Sequence, residues 1–226
     1  MPREKKRRWS WKVEDRGQNP DLNLLYEPGN WGDMVKGTWA VIIVRTVLGL
    51  NGNDVNAVSK TGKALEIDPA NGDAHVESPG TFRYFDPFAG APTYPLVEAS
   101  RRRLEEVPGG PFVEAQERFT RGGELASTAM LVLESVKLAG ADARLEVFDT
   151  DPLRRAKWAS VPEAVLLDAV SGEGALLGLE GSAERAHLIL VDPYDFFDRA
   201  LEILPIALPL ARHSPVLFYA FNRTPR

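Results

Sequence analysis

The chain has 226 residues, 44% of them hydrophobic and 26% charged, an ordinary globular make-up with enough length for one large α/β domain or a domain plus a small insertion. It has no cysteine, which excludes disulfides, thiolate metal sites and a cysteine nucleophile. Its three histidines (His75, His187, His213) lack the spacing of a metal site, so the hard chemistry falls to carboxylates or an organic cofactor.

Charge divides the chain unevenly. The formal net charge is −5, yet residues 1–12 carry six Lys or Arg against one Glu, which leaves 21 basic and 31 acidic residues, about −10, for the remainder. Residues 1–20 therefore read as a basic arm, with Trp9 and Trp11 set among Arg and Lys. Such an arm can neutralise phosphates and stack on bases, and the same composition also suits a solvated tail. No run of about 18 apolar residues occurs and the N-terminus lacks an apolar h-region, so a soluble, cytoplasmic protein with no membrane span is expected.

Residues 21–226 read as one domain. After the turn-rich stretch Asp21 to Trp31, Asp33 is placed to cap a helix over Met34 to Leu50. Its apolar residues (Val35, Trp39, Val41, Ile42, Ile43, Val44, Val47, Leu48) predict burial on most faces, and it stops at Gly49 and Asn51-Gly52. Residues 51–80 form an insertion. Within it Ala64 to Ile67 and Ala74 to Glu77 flank a loop and predict a β-hairpin.

Phe82 to Phe85 predicts a strand that delivers Asp86 into the loop Asp86-Pro87-Phe88-Ala89-Gly90, where Gly90 permits a close backbone approach, and a helix over roughly Pro95 to Val107 follows. A short helical piece, Phe112 to Phe119, precedes Arg121-Gly122-Gly123-Glu124, which opens a helix over Leu125 to Leu138 on its apolar spacing. Arg144 to Phe148 predicts a second strand, ended by Asp149, and Asp151 reads as the cap of a helix over Pro152 to Ala159.

Val165 to Leu167 makes a short third strand followed by Asp168-Ala169. His187 to Val191 has four consecutive apolar residues before Asp192-Pro193-Tyr194, the mark of a strand buried on both faces and stopped by a residue that cannot extend the ladder. Phe196 to Leu210 predicts a helix that Pro205 and Pro209 should kink or shorten, and Pro215 to Phe221 a fifth strand. The expected fold is thus α/β, a doubly wound, mainly parallel sheet with strand order 3-2-1-4-5, an inserted hairpin and a truncated C-terminal sheet edge. Ligands bind such sheets beyond the carboxyl ends of the strands, which is where Asp86, Asp149, Asp168 and Asp192 are delivered.

Two strand-Asp-Pro-aromatic elements, one with a glycine turn, carry a resemblance. Asp86-Pro87-Phe88-Ala89-Gly90 resembles the first motif of class I S-adenosylmethionine-dependent methyltransferases. Asp192-Pro193-Tyr194 is similar to the Asp-Pro-Pro-Tyr motif of enzymes that methylate exocyclic amines of bases, one proline short. With Gly29-Asn30-Trp31-Gly32-Asp33-Met34-Val35-Lys36 ahead of them, the order resembles the RlmJ family of ribosomal RNA adenine-N6 methyltransferases over roughly Tyr26 to the C-terminus.

The resemblance implies S-adenosylmethionine as cofactor and ribosomal RNA as partner. It implies cofactor contacts from Lys36, Asp86, Phe88, Gly90, Glu124 (standing where the family has serine), Asp149 (ribose hydroxyls), Asp168 and Ala169 (adenine ring) and Asp192. It also implies that Asp192 and the Pro193 carbonyl accept the substrate's amino hydrogens while Tyr194 stacks on its base. The family has histidine where this chain has Gly37, and Gly-x-Gly where it has Gly90-Ala91-Pro92. Two other readings stand beside it: a methyltransferase-like binding or assembly module without chemistry, and a DNA adenine-N6 methyltransferase.

Overall fold

The computed structural model describes residues 29–50, 64–67, 74–77, 80–182, 184–193 and 196–220. The basic arm, most of the 51–80 insertion and Tyr194 lie outside them. In chain order the elements are α1 (Trp31–Val47), β1 (Ala64–Ile67), β2 (Ala74–Glu77), β3 (Phe82–Asp86), β4 (Thr93–Pro95), α2 (Glu98–Glu106), α3 (Pro111–Arg121), β5 (Glu124–Ala126), α4 (Thr128–Leu138), β6 (Ala143–Val147), α5 (Pro152–Trp158), β7 (Ala164–Leu166), α6 (Gly172–Glu180), β8 (Leu188–Val191), α7 (Phe196–Leu210) and β9 (Val216–Phe218).

The five-stranded sheet runs β7-β6-β3-β8-β9 with every neighbouring pair parallel, the strand order expected from the sequence. Strand β8 is apolar on both faces because both faces are covered, whereas β3 carries Arg83, paired with Glu146 of β6 at 2.7 Å. In β8, Leu188 and Leu190 enter one core with Phe82, Tyr84, Leu145 and Val147, under α1 and α4. Ile189 and Val191 enter a second core with Phe85, Leu176, Ile203 and Ala207, under α6 and α7. All four β8 side chains are buried, each contributing about 1.5–3 kcal/mol of transfer free energy. The β1–β2 hairpin forms with Ala64 opposite Glu77 and Ile67 opposite Ala74, as a separate two-stranded sheet. It does not extend the main sheet, and among the described residues β9 is that sheet's edge.

Several expectations are corrected. Helix α1 starts three residues earlier than predicted and is capped by Asn30, whose side chain accepts from the Asp33 N–H at 3.1 Å. Asp33 turns back and accepts from the Gly29 N–H at 2.8 Å. Nor is α1 buried on most faces: Met34, Gly37, Ala40, Val41 and Val44 face inward, whereas Trp31, Val35, Trp39 and Ile42 form an exposed row at helical spacing.

The helix predicted from Leu125 begins at Thr128, capped by Ser127, because Glu124–Ala126 pairs antiparallel with β4 instead. The helix predicted from Pro95 likewise begins at Glu98, since Thr93–Pro95 is that partner strand. A third core, Met34, Val41, Phe112, Leu125 and Leu131, packs this small lobe against α1 and explains the strands: Leu125 gains more by entering it than by starting a helix. Helix α6 was not anticipated, its glycines masking a Leu176–Leu179 face. Helix α7 runs through both Pro205 and Pro209; Pro205 is exposed beside exposed Leu201, so the carbonyl that Pro205 leaves without an N–H faces water. Among the described residues no helix is long and apolar enough to cross a membrane.

Candidate functional site

Read across the carboxyl edge of the sheet, the polar side chain at or just beyond each strand end is Asp168 (β7), Asp149 (β6), Asp86 (the last residue of β3), Asp192 (β8) and Tyr219 (β9). The chain leaves β3 toward β6 on one side and returns to β8 on the other, so the gap between β3 and β8 is the topological switch point, where the crossing loops part and leave a crevice. Asp86 and Asp192 flank it.

Asp86 is buried at 2% exposure. Its carboxylate accepts from the Phe88 N–H and the Tyr84 hydroxyl, both at 3.0 Å. Burial pushes its carboxyl up to about 7 against the pull of the Phe88 N–H, the Lys36 charge and the Tyr84 hydroxyl. Burial and then the neighbouring Asp86 carboxylate raise the Tyr84 hydroxyl well above its ordinary value, so it stays a donor.

Lys36 reaches the crevice from α1. Its ammonium donates to Asp192 in a short bond, pairs with Asp33 at 3.2 Å and lies 5.5 Å from the centre of the Tyr219 ring. Burial by itself would lower the lysine; the two carboxylates outweigh it and hold Lys36 well above its ordinary value. Asp192 is raised by burial, which the Lys36 charge offsets in part. Pro193 is buried beside it.

Gly37 follows where the resembled family has histidine, and packing gives the reason. A Cβ there would stand 2.8 Å from both Leu131 and Phe112, so α1 can only approach α3 and α4 this closely without a side chain.

The loop after β3 is held from three directions. Gly90 has φ +65°, and a Cβ on it would meet the Tyr94 hydroxyl at 2.4 Å. That hydroxyl accepts from the Ala91 N–H at 3.0 Å, and the Gly90 carbonyl accepts from the indole of fully buried Trp158 on α5 at 2.8 Å. Two backbone bonds, Phe148 N–H to the Asp86 carbonyl and Ala89 N–H to the Phe148 carbonyl, both at 3.0 Å, join this loop to the one after β6. At Gly90 it is the Tyr94 hydroxyl of this chain that makes the close approach.

Asp149 is buried at 7% exposure, accepting from the Asp151 N–H at 2.7 Å and from Arg154 at 2.9 Å. Burial raises its carboxyl while Arg154 and the Asp151 N–H pull it down. Asp151 caps α5, as expected, and also pairs with Arg154 at 3.3 Å.

The remaining predicted residues scatter. Asp168 is exposed, and Ala169 packs on the second core. The Phe88 ring lies where a Cβ on Gly172 would stand at 2.2 Å, tying the Asp86 loop to the start of α6. Glu124 is exposed on β5, accepting from Thr93 at 3.0 Å, and does not join the acids. Nearly buried Ser127 is the residue that does reach the loop after Gly90, its N–H donating to the Pro92 carbonyl at 2.9 Å.

Sequence reasoning missed Tyr219, Arg154, Tyr94 and Trp158 as site residues. Tyr219 was hidden inside a fifth strand expected to run from Pro215 to Phe221 but observed only over Val216–Phe218, while Arg154 was accessible from its place three residues after the cap Asp151. Tyr94 and Trp158 had no local signal.

No protein-family model matches this sequence, and neither does any curated protein. Among solved structures, the chain is similar to protein LPL1258 from Legionella pneumophila str. Philadelphia 1, of the DUF519 family. The two share 13% identity over 85% of this chain and 68% of that one, with a TM-score of 0.56. The likeness is one of fold.

Proposed function

We propose that the chain is an S-adenosylmethionine-dependent methyltransferase acting on the exocyclic amine of adenine in RNA, ribosomal RNA in the first instance. The observation that carries this reading is the pair of acids, Asp86 and Asp192, at neighbouring parallel strand ends astride the switch point, with the Gly90 turn following the first.

The residues suit the cofactor. Gly90 presents backbone rather than a side chain, with the Tyr94 hydroxyl 2.4 Å from where its Cβ would stand, and each Asp149 oxygen has one protein donor and so keeps a lone pair for a ribose hydroxyl. When bound, S-adenosylmethionine supplies an electrophilic methyl on its own leaving group, so the chain needs to bind and aim rather than to supply strong acid or base. Asp192 is fixed by Lys36 through one oxygen and retains acceptor capacity for an amino N–H, with the Pro193 carbonyl adjacent to accept the second. Hydrogen bonds to both amino hydrogens turn the nitrogen lone pair toward the methyl.

A second reading, a binding or assembly module of the same fold without chemistry, is favoured by one feature: Lys36, Arg154 and the Tyr94 hydroxyl already engage the polar groups that a ligand would use.

Thermal unfolding with added S-adenosylmethionine tests the first half of the proposal, since ligand at 100 times its dissociation constant adds about 2.7 kcal/mol. Radiolabelled methyl incorporation into RNA from cells lacking this protein tests the second. Asp192→Ala is expected to cut transfer by at least about 10²-fold, the scale on which positioning of a reacting group acts. Wild-type protein that binds the cofactor yet labels neither RNA nor DNA leaves the binding module; label in DNA alone moves the substrate to DNA.

A further inference from the structure

Tyr219 immediately follows β9, and its N–H donates to the Val191 carbonyl at 3.0 Å, which straps it beside Asp192 at the sheet's edge. Its hydroxyl lies against α1 so closely that a Cβ on Gly32 would stand 2.2 Å away, so Gly32 is the residue that lets the ring sit there. The ring is only partly buried. One atom, the Lys36 ammonium nitrogen, both donates to the Asp192 carboxylate and lies 5.5 Å from the ring centre. A nitrogen donor can therefore reach Asp192 from over the tyrosine face, at the distance of a cation–π contact.

We propose that Tyr219 is the aromatic wall of the substrate pocket, receiving the planar ring of an aminopurine whose amino group meets Asp192. The proposal rests on the amine-methyltransferase reading above and adds to it a contact residue on the side of Asp192 away from Asp149. The strand order supports this division. Asp86 and Asp149 lie on one side of Asp192 and Tyr219 on the other, so cofactor and base approach Asp192 from opposite sides. Lys36 is the internal surrogate of the amino group: it is a donor to the same carboxylate and a cation over the same ring.

The test uses the full chain as wild type, Tyr219→Phe and Tyr219→Leu. The probe is a single-stranded adenine-rich oligoribonucleotide carrying one 2-aminopurine, whose fluorescence falls when it stacks on an aromatic. Wild type and Tyr219→Phe are expected to quench the probe with affinities within about twofold of each other, because the phenyl face is retained. Tyr219→Leu is expected to bind it about 5- to 150-fold more weakly, the range of one base-aromatic stack, with S-adenosylmethionine affinity unchanged in all three.

If the ring serves only to seat Lys36, Tyr219→Leu will lower thermal stability and cofactor affinity while probe binding stays equal, and the inference is overturned; it is equally overturned if wild type does not quench the probe. Should Tyr219→Leu not fold, Tyr219→His keeps a smaller π face and is expected to show an intermediate loss, an unchanged affinity again counting against the proposal. Quenching by wild type that transfers no methyl would overturn the methyltransferase reading and leave the base-binding role of Tyr219 in place.

Discussion

On the β8 side of the switch point, Asp192 is paired with a lysine 156 residues away in sequence; on the β6 side, Asp149 is paired with an arginine five residues away. The first pair exists only once α1 has closed over the sheet, with Lys36 and Asp192 side chains 9% and 20% exposed. The second forms within the first turn of α5, where capping by Asp151 already places Arg154. A long-range pair between buried partners couples the site to the fold, because losing one partner strands the other charge away from water. When the local pair is cut at Asp149, Arg154 still has Asp151 within 3.3 Å as a partner.

The sharpest way to break this comparison is Lys36→Met, which leaves Asp33 and Asp192 facing each other without their cation. The loss of stability at neutral pH is expected to be about 3–5 kcal/mol, the scale of a broken buried pair. The sign with pH follows from the carboxyls. Asp192 is already raised by burial, and removing the lysine raises it further. A raised carboxyl contributes stability that is full below its unfolded value, about 3.9, and is lost as pH rises through the folded value. Denaturant unfolding should therefore find the variant closer to wild type at pH about 4 than at pH about 7. An equal deficit at both pH values would show that the lysine acts through its packed stem and not its charge.

On the other side, Asp149→Ala is expected to weaken S-adenosylmethionine by about 1–3 kcal/mol, as two ribose hydroxyls lose a charged acceptor. The fold should change little, since Arg154 keeps Asp151 as partner. Calorimetry giving equal affinities for wild type and variant would remove the cofactor from this strand end. A stability loss as large as that of Lys36→Met would erase the distinction between the local and long-range pairs.

The same distinction decides what could be read from sequence. Strand order was legible because each central strand is short and ends in an acid, as at Leu188–Val191 before Asp192, and parallel neighbours with helices between them leave few arrangements. The cap Asp151 was legible for the same local reason. Glu124 was misplaced because the antiparallel pairing of Thr93–Pro95 with Glu124–Ala126 spans about 30 residues and has no turn signature, so the apolar spacing of α4 was read three residues too far back. The Lys36–Asp192 pair, the Tyr94 hydroxyl over Gly90 and the Trp158 indole on the Gly90 carbonyl depend on side chains that meet only in the closed fold. Tyr219 was missed for a different reason: the fifth strand was expected to run on to Phe221, which placed Tyr219 inside it, whereas the strand ends at Phe218.

The smallest expected effect is a change of slope rather than of level, and it concerns Asp86, which lies between the two paired acids. Its carboxyl is pushed up to about 7, so from about pH 4 to about pH 7 the folded chain retains a proton there that the unfolded chain releases. Its contribution to stability is thus greatest below about pH 4 and declines as pH climbs through about 7. Asp86→Asn carries no charge at any pH in this range and can keep the acceptor for the Phe88 N–H, so that decline should be absent from the variant and appear in the difference between wild type and variant. The groups facing Asp86 are Tyr84 on its own strand, Lys36 on α1 and Asp192 beyond β8. Tyr84 and Lys36 keep their protons throughout the range, and Asp192 titrates in both proteins. Paired urea titrations without cofactor should then show the variant gaining on wild type between pH 4 and 8. A constant difference would mean that Asp86 stays ionised in the fold, with the Lys36 charge shared across both acids at the switch point rather than held by Asp192 and Asp33.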